Sequence, residues 1–178
     1  MSAVAARTVV GGTVWRVDPA ASTAGFSVRN FGVKRVKGQV SLVAGEAVLG
    51  PDGDVLSLRG QVDAAGIDTG NTRRDTDLRG AKLLSVATAP TWTFESREVR
   101  RDGDGWRVTG RLTVRDSCDV TFLVSRVEDV APGVVRVAAT ASLDRRDAGV
   151  RAPRVLIGQQ VDVELQVVLR RSEDTAAS

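Results

Sequence analysis

The chain has 178 residues, of which 42% are hydrophobic and 26% charged, as is typical of a single globular domain with a sizeable core. It contains no histidine and one cysteine, which excludes histidine-type zinc sites, Ser-His-Asp triads, intramolecular disulfides and thiolate metal clusters. The net charge of +3 arises from Arg residues scattered among Asp and Glu, and tyrosine is absent, so we expect no nucleic-acid partner.

Hydropathy and the chain ends set expectations for compartment and domain limits. No apolar run is long enough to cross a bilayer. Residues 1–15 lack a continuous apolar stretch followed by a small-residue cleavage site, so we expect no secretory signal and a cytoplasmic protein. Small residues at 1–12 and polar residues at 172–178 predict tails on either side of one domain at 13–171.

Apolar and polar residues alternate with a period of two along most of the chain, which predicts β-strands. The alternating stretches are 14–18, 23–29, 35–42, 56–64, 92–97, 106–114, 120–124, 135–143 and 161–169. Turn residues separate several of them, at 30–32, 51–54 and 101–105. Strands with one apolar face form antiparallel sheets, and this many of them favour a closed barrel or a two-sheet sandwich.

Residues 67–96 interrupt this alternation and predict a short helical insertion around 72–86. Thr72 stands three residues before Asp75, the spacing of a capping box, and charges of alternating sign follow it. Pro90 ends any helix before the next strand begins at Trp92. We therefore expect the insertion to close or fill the β-structure, or to carry its functional residues.

Glycines recur within the predicted strands, at positions 25, 38, 60 and 110 in the apolar phase. Either the chain bends tightly there, or the glycines relieve packing, or something other than a side chain occupies the interior. The pattern alone leaves these alternatives open.

The chain from about residue 14 to 171 resembles the YceI-like family of polyisoprenoid-binding proteins. The segments that carry the resemblance, in family order, are Trp15-Arg16-Val17-Asp18-Pro19 with Ser22, Phe26-Ser27-Val28, Ile67-Asp68-Thr69, Arg74-Asp75 with Leu78-Arg79, Ala89-Pro90 with Phe94-Glu95-Ser96, Gly110-Arg111-Leu112-Thr113-Val114, Arg146-Asp147 with Gly149-Val150, and Ile157-Gly158 before Val161. The resemblance implies an all-β, antiparallel, lipocalin-like barrel that holds a long isoprenoid or related amphipathic lipid along its axis, without catalysis as a general property.

The chain departs from the family pattern at positions that bear on the ligand. Asp77 stands where His is usual, Leu83 and Leu84 replace a common Phe pair, and Ala148 stands where Phe is common. The segment 116–119 reads Asp-Ser-Cys-Asp where a glycine and a basic residue are usual. We expect the fold to tolerate these changes.

Ten apolar side chains are candidates for lining a lipid tunnel, although the same residues could instead fill a dry core. They are Phe26, Leu58, Val62, Leu83, Leu84, Trp92, Phe94, Leu112, Val114 and Phe122. Three arginines of the insertion, Arg73, Arg74 and Arg79, could bind an acidic head group in bidentate fashion. The alternative is that they pair locally with Asp75 and Asp77 as salt bridges.

Other motifs argue against catalysis and metal binding. Asp68-Thr69-Gly70 matches the aspartic-protease triplet, but that chemistry needs two copies and the chain has one. Cys118 has no basic neighbour in sequence to lower its pKa. Asp116 and Asp119 could ligate a cation, but two loop carboxylates are more often solvated.

The sequence therefore predicts a protein that binds or carries a long-chain isoprenoid lipid or quinone, with no catalytic residue, metal or other cofactor. A ligand-free structural or stress-related interaction protein of the same fold is the alternative, and an enzyme acting on a lipid in the barrel is a third reading. A homodimer is left open.

Overall fold

The computed structural model describes residues 12–30, 34–152 and 157–175. The described part contains nine strands, one α-helix and one short 3-10 turn. In chain order they are β1 (Thr13–Val17), the 3-10 turn (Pro19–Ala21), β2 (Thr23–Asn30), β3 (Lys34–Leu49), β4 (Val55–Asp68), α1 (Thr72–Arg79), β5 (Thr91–Asp102), β6 (Gly105–Thr113), β7 (Ser117–Ala131), β8 (Val134–Asp144) and β9 (Gln160–Thr175).

Strands β2 to β9 form a closed antiparallel barrel of eight strands. Each pairs with the next in sequence, and β9 returns to pair with β2, where Phe26 lies opposite Val163. Closure of the sheet satisfies the backbone of every barrel strand without leaving an edge. The predicted lipocalin-like barrel with a helical insertion is confirmed.

Strand β1 continues the line of β2 at the other end of the barrel. It pairs with β3 and β9, the same two strands that flank β2. The 3-10 turn separates β1 from β2, because Pro19 has no N–H to offer the ladder. The side chain of Ser22 compensates, since its Oγ accepts a hydrogen bond of 2.9 Å from the N–H of Val168.

Several strands are longer than the alternation predicted, because β-bulges shift their register. The pairing of β3 with β4 shifts between Leu42 and Ala44, and that of β7 with β8 shifts between Val124 and Arg126. At a bulge the alternation of faces is reset, so a strict two-residue pattern ends there. β9 likewise runs to Thr175, past the predicted domain end at 171.

The two ends of the barrel differ in their connections. At one, the hairpin end, the connections β3–β4, β5–β6 and β7–β8 are short. At the other, the helix end, lie the connection that carries α1 and the long segment between β8 and β9. The predicted tail at 1–12 falls almost wholly outside the described residues, as does most of the predicted turn at 30–32.

Candidate ligand-binding lumen

The predicted tunnel residues converge on the inside of the barrel. Residues opposite each other in antiparallel strands share a face, and the register places Val62 opposite Trp92. Phe94 likewise lies opposite Leu112. Leu83 lies in the turns after α1, and neither it nor Val62 belongs to the two buried apolar clusters described next.

Two apolar clusters occupy the interior. The helix-end cluster has as its buried core Ile67, Leu84, Val114, Ala148 and Val150, with Phe26, Trp92 and Leu112 packed against it. The central cluster is built on Val108, Val124 and Ala139, with Leu58, Phe94 and Phe122 packed against it. Within the central cluster the rings of Phe94 and Phe122 meet edge to face, with centroids 5.0 Å apart.

The inward aromatic rings are not fully buried. Among the described residues, Val108 is the one large side chain that exposes less than 2% of its surface. Phe26, Val62, Phe94 and Phe122, which face the inside of a closed sheet, all keep an intermediate share of their surface accessible. Because the sheet surrounds these rings, that surface faces the lumen or its ends, and an apolar ligand could cover it.

The inward glycines differ in how closely their neighbours approach. At Gly38 an added Cβ would lie 2.4 Å from the ring of Phe26, and at Gly110 it would lie 2.7 Å from the ring of Phe94. At Gly60, which pairs with Phe94 on the inner face, the nearest atom would be 3.9 Å away. A Cβ at Gly60 would therefore make ordinary contacts, without the overlap found at Gly38 and Gly110.

The assignment of Gly25 to the apolar phase was wrong. Its neighbours Ala24 and Phe26 face inward, and Gly25 lies opposite Gln39 and Glu164 on the outer surface. An added Cβ would meet its nearest atom at 3.7 Å.

The predicted capping box at Thr72 is not formed. Asn71 is the N-cap of α1, and its side chain accepts a hydrogen bond of 3.0 Å from the N–H of Arg74. Asp75 is buried instead, with 6% of its surface exposed. Its carboxylate accepts bonds from the N–H and the hydroxyl of Thr69, at 3.0 and 2.5 Å.

Two of the three candidate head-group arginines dock the insertion onto β4. Arg74 donates to the hydroxyl and the carbonyl oxygen of Thr69, both at 2.8 Å. Arg79 donates to the carbonyls of Ala65 and Ile67, at 3.0 and 2.9 Å. Arg73 is exposed, and its guanidinium has no partner among the described residues. The local salt bridges to Asp75 and Asp77 are not formed among the described residues either.

A buried arginine that the sequence analysis did not single out organises the long segment between β8 and β9. Arg145 exposes 4% of its surface and donates to the carbonyls of Val150, Ala152, Ile157 and Gly158 at 2.8 to 2.9 Å. Burial lowers the pKa of its guanidinium. In sequence it is adjacent to the exposed Arg146, and no local signal separates the two.

In the described part of the chain, Cys118 and the acidic residues near it form no reactive arrangement. Burial, followed by the charges of Asp147 and Asp119, raises the pKa of the Cys118 thiol, which keeps it protonated. Asp119 pairs with Arg97 at 3.5 Å. Within the described ranges, no cluster of three His, Cys, Asp or Glu side chains could hold a metal ion, and no helix is long and apolar enough to cross a membrane.

Comparison with known protein families assigns this eight-stranded barrel to a family. The model of the YceI-like domain matches residues 15–169 of this chain. The chain belongs to the YceI-like family. Two relatives, the UPF0312 proteins of Yersinia pestis (strain Pestoides F) and Pectobacterium atrosepticum, are 45% and 42% identical over 66 and 64 residues. Those matches cover 37% and 36% of this chain and about a third, 34% and 32%, of the relatives.

Solved structures share the fold of this YceI-like barrel. BcnA of Burkholderia cenocepacia superimposes with a TM-score of 0.76 at 20% identity, covering 85% of this chain and 98% of BcnA. A polyisoprenoid binding domain from Saccharophagus degradans gives 0.64 at 16% identity, covering 89% and 98%. The YCEI protein of Campylobacter jejuni gives 0.63 at 16% identity, covering 82% and 90%.

Proposed function

We propose that this YceI-like protein binds or carries a long-chain isoprenoid or related amphipathic lipid, of polyprenyl or quinone type, inside its barrel. The observation that carries the proposal is the lumen, where inward aromatic and aliphatic side chains keep accessible surface within a closed sheet. The name of the similar Saccharophagus degradans domain, a polyisoprenoid binding domain, supports the same ligand class.

The physical driving force is burial of apolar surface. Transfer of a prenyl tail from water into an apolar lumen yields roughly 25 cal/mol for each Å² buried. The inward faces of β4, β5 and β6 supply this environment through Leu58, Val62, Phe94 and Leu112. Strands of up to 16 residues give the barrel a long inner face, along which an elongated tail could lie.

We propose that, of the three arginines of the insertion, Arg73 is the one that contacts an acidic head group. Arg74 and Arg79 already donate to backbone carbonyls of Thr69, Ala65 and Ile67. A guanidinium committed to carbonyls has fewer N–H groups for a ligand. For this reason we favour Arg73 over Arg74 and Arg79 as the residue that binds the head group.

Blocking the lumen tests the proposal. Gly60→Leu places a side chain on the inner face opposite Phe94, so we expect at least tenfold weaker prenyl-lipid binding in a fluorescence titration, with circular dichroism checking that the variant is folded. Gly25→Leu is the matched control, because it adds the same side chain in comparable space on the outer face. Equal affinity of the two variants for the lipid would contradict binding in the lumen.

The alternative is a ligand-free structural or interaction protein of the same fold. Native mass spectrometry with lipid extraction of the purified protein separates the two. A co-purifying prenyl lipid, or uptake of an added one, supports the carrier. A protein that stays empty with added prenyl lipids supports the alternative.

We propose that the protein binds its ligand without catalysing a reaction. Its location in the cytoplasm stays a prediction, and a homodimer stays a possibility that the sequence leaves open.

A further inference from the structure

The hairpin formed by β2 and β3 carries cations and no carboxylate. Between Asp18 and Glu46 the chain contains no Asp or Glu, and this is the longest stretch of the sequence without an acidic residue. The cations of the hairpin are all exposed, and we call them the basic hairpin residues: Arg29, Lys34, Arg35 and Lys37. Positive charge is therefore concentrated on one pair of strands.

The register of the two strands places most of these cations on the outer wall of the barrel. Val36 is buried, so Arg35 and Lys37 on either side of it in β3 face outward. In β2, Arg29 lies directly opposite Arg35 and shares this face. Lys34 belongs to the last pair of the hairpin and lies at the rim of the helix end. Like charges directly opposite each other destabilise an antiparallel pair, and an anionic partner would relieve this repulsion.

The charges of the protein itself neutralise this surface only in part. In the described part of the chain, the one carboxylate that forms an ion pair with these cations is Asp162 of β9, at 3.7 Å from Arg35. The same carboxylate also accepts a hydrogen bond of 2.6 Å from the hydroxyl of Ser142. Arg29 and Lys37 form no ion pair with a described residue. One negative charge therefore faces three outward cations.

The shape of this surface favours an extended anionic partner. The cations stand exposed on the wall of a barrel, where a layer of phospholipid head groups can approach all of them together. Each cation close to an anionic bilayer strengthens binding by about fivefold. Their outward neighbours Gly25, Ser27 and Gln39 provide no aromatic ring on which nucleic-acid bases could stack.

We propose that the basic hairpin residues bind the surface of a bilayer that contains anionic phospholipids. The inference rests on the proposed function, because a carrier of a membrane lipid collects or delivers its ligand at a membrane. The connection of β2 to β3 lies at the helix end, as does α1 with the exposed Arg73. Docking through the hairpin therefore brings this end of the barrel to the head groups.

Sedimentation with vesicles tests the surface. Wild-type protein should bind vesicles of phosphatidylcholine and phosphatidylglycerol in equal parts, less so at high salt, and should not bind phosphatidylcholine alone. The variant Arg29→Gln/Arg35→Gln/Lys37→Gln should bind the anionic vesicles more weakly by about tenfold or more. A wild-type protein that does not sediment with the anionic vesicles would overturn the inference.

A control variant removes the same total charge elsewhere on the outer wall. It replaces three exposed, ion-paired arginines of β4, β5 and β6, as Arg59→Gln/Arg97→Gln/Arg107→Gln. We expect it to bind the anionic vesicles like the wild type, with circular dichroism checking that both variants are folded. An equal loss of binding in the two variants would show that only net charge matters, and would overturn the proposed surface.

Prenyl-lipid binding in detergent solution, without vesicles, separates this inference from the proposed function. The hairpin variant should bind a prenyl lipid there like the wild type. A wild-type protein that binds prenyl lipid but not anionic vesicles would reject the docking surface and leave the proposed function intact. Vesicle binding through the hairpin without prenyl-lipid binding would support the surface and reject the proposed function. Binding to polyglutamate but not to vesicles would assign the surface to an acidic protein and overturn the inference.

Discussion

At the scale of single residues, the polar side chains at the helix end serve the backbone. Arg145 provides the clearest case, since one guanidinium organises the carbonyls of Val150, Ala152, Ile157 and Gly158. A loop that crosses the end of a barrel leaves carbonyls without strand partners, and these must be paired. A fork of N–H donors can do this from a single position.

We predict that Arg145→Met lowers the free energy of unfolding by about 3 kcal/mol, because it leaves buried carbonyls unpaired. For a chain of this size that is a fall in Tm of roughly 10 °C, measurable by calorimetry. Arg146→Met is the control. Arg146 is exposed and pairs with Asp144, so its loss should cost under about 1 kcal/mol. Similar losses in both variants would contradict the structural role of Arg145.

At the scale of elements, inward glycines let aromatic rings pack closely against the backbone of the sheet. Gly110 on β6 faces Phe94 on β5, whose ring occupies the space that a Cβ would need. The carbonyl oxygen of Glu95 lies still closer, 2.3 Å from that position. A side chain at 110 would therefore push against both the ring and the backbone of the neighbouring strand.

Gly110→Ala should destabilise the protein by about 1 to 3 kcal/mol through overpacking, as measured by urea unfolding. Gly60→Ala is the matched substitution, since its Cβ would meet nothing closer than 3.9 Å. We expect it to be neutral or slightly stabilising, because alanine restricts the unfolded chain. If both variants lost the same stability, the difference in packing at the two glycines would be refuted.

At the scale of the whole molecule, closure brings the first and last strands together. Thr13 of β1 lies opposite Thr175 of β9. β1 and β2 both lie between β3 and β9, one at each end of the barrel. The barrel therefore closes where β9 pairs with β1 and β2, and we call this pairing the seam. The hairpin connections, by contrast, are short and peripheral, as at residues 50–54.

A circular permutant should therefore fold. Joining the chain ends with a glycine linker and opening the chain between Asp52 and Gly53 keeps every strand pairing. We expect native-like far-ultraviolet circular dichroism and cooperative thermal unfolding. Opening the chain inside β9, between Leu165 and Gln166, should abolish folding because it divides the strand that pairs with β2 and β8. A folded β9 permutant together with an unfolded hairpin permutant would contradict this view of the seam.

Much of the barrel could be predicted from the two-residue alternation, because that pattern depends only on which face of a strand meets the core. The pattern did not predict the far ends of β3 and β7, because a β-bulge in each strand interrupts the alternation of inward and outward residues. It also misplaced the cap of α1, since Asn71 and Thr72 are both good capping residues and only the docking of Asp75 on Thr69 decides between them.

The sequence by itself determined that the fold is all-β with enough strands to close a barrel. It also determined the site of the helical insertion and the apolar character of the inner face. Only the tertiary structure decided which inward glycines tolerate a Cβ, and which arginines donate to backbone carbonyls. The physical reason is that alternation is a local property of each strand. The contacts around Gly60 and the carbonyl partners of Arg79 depend instead on residues that lie far apart in the sequence.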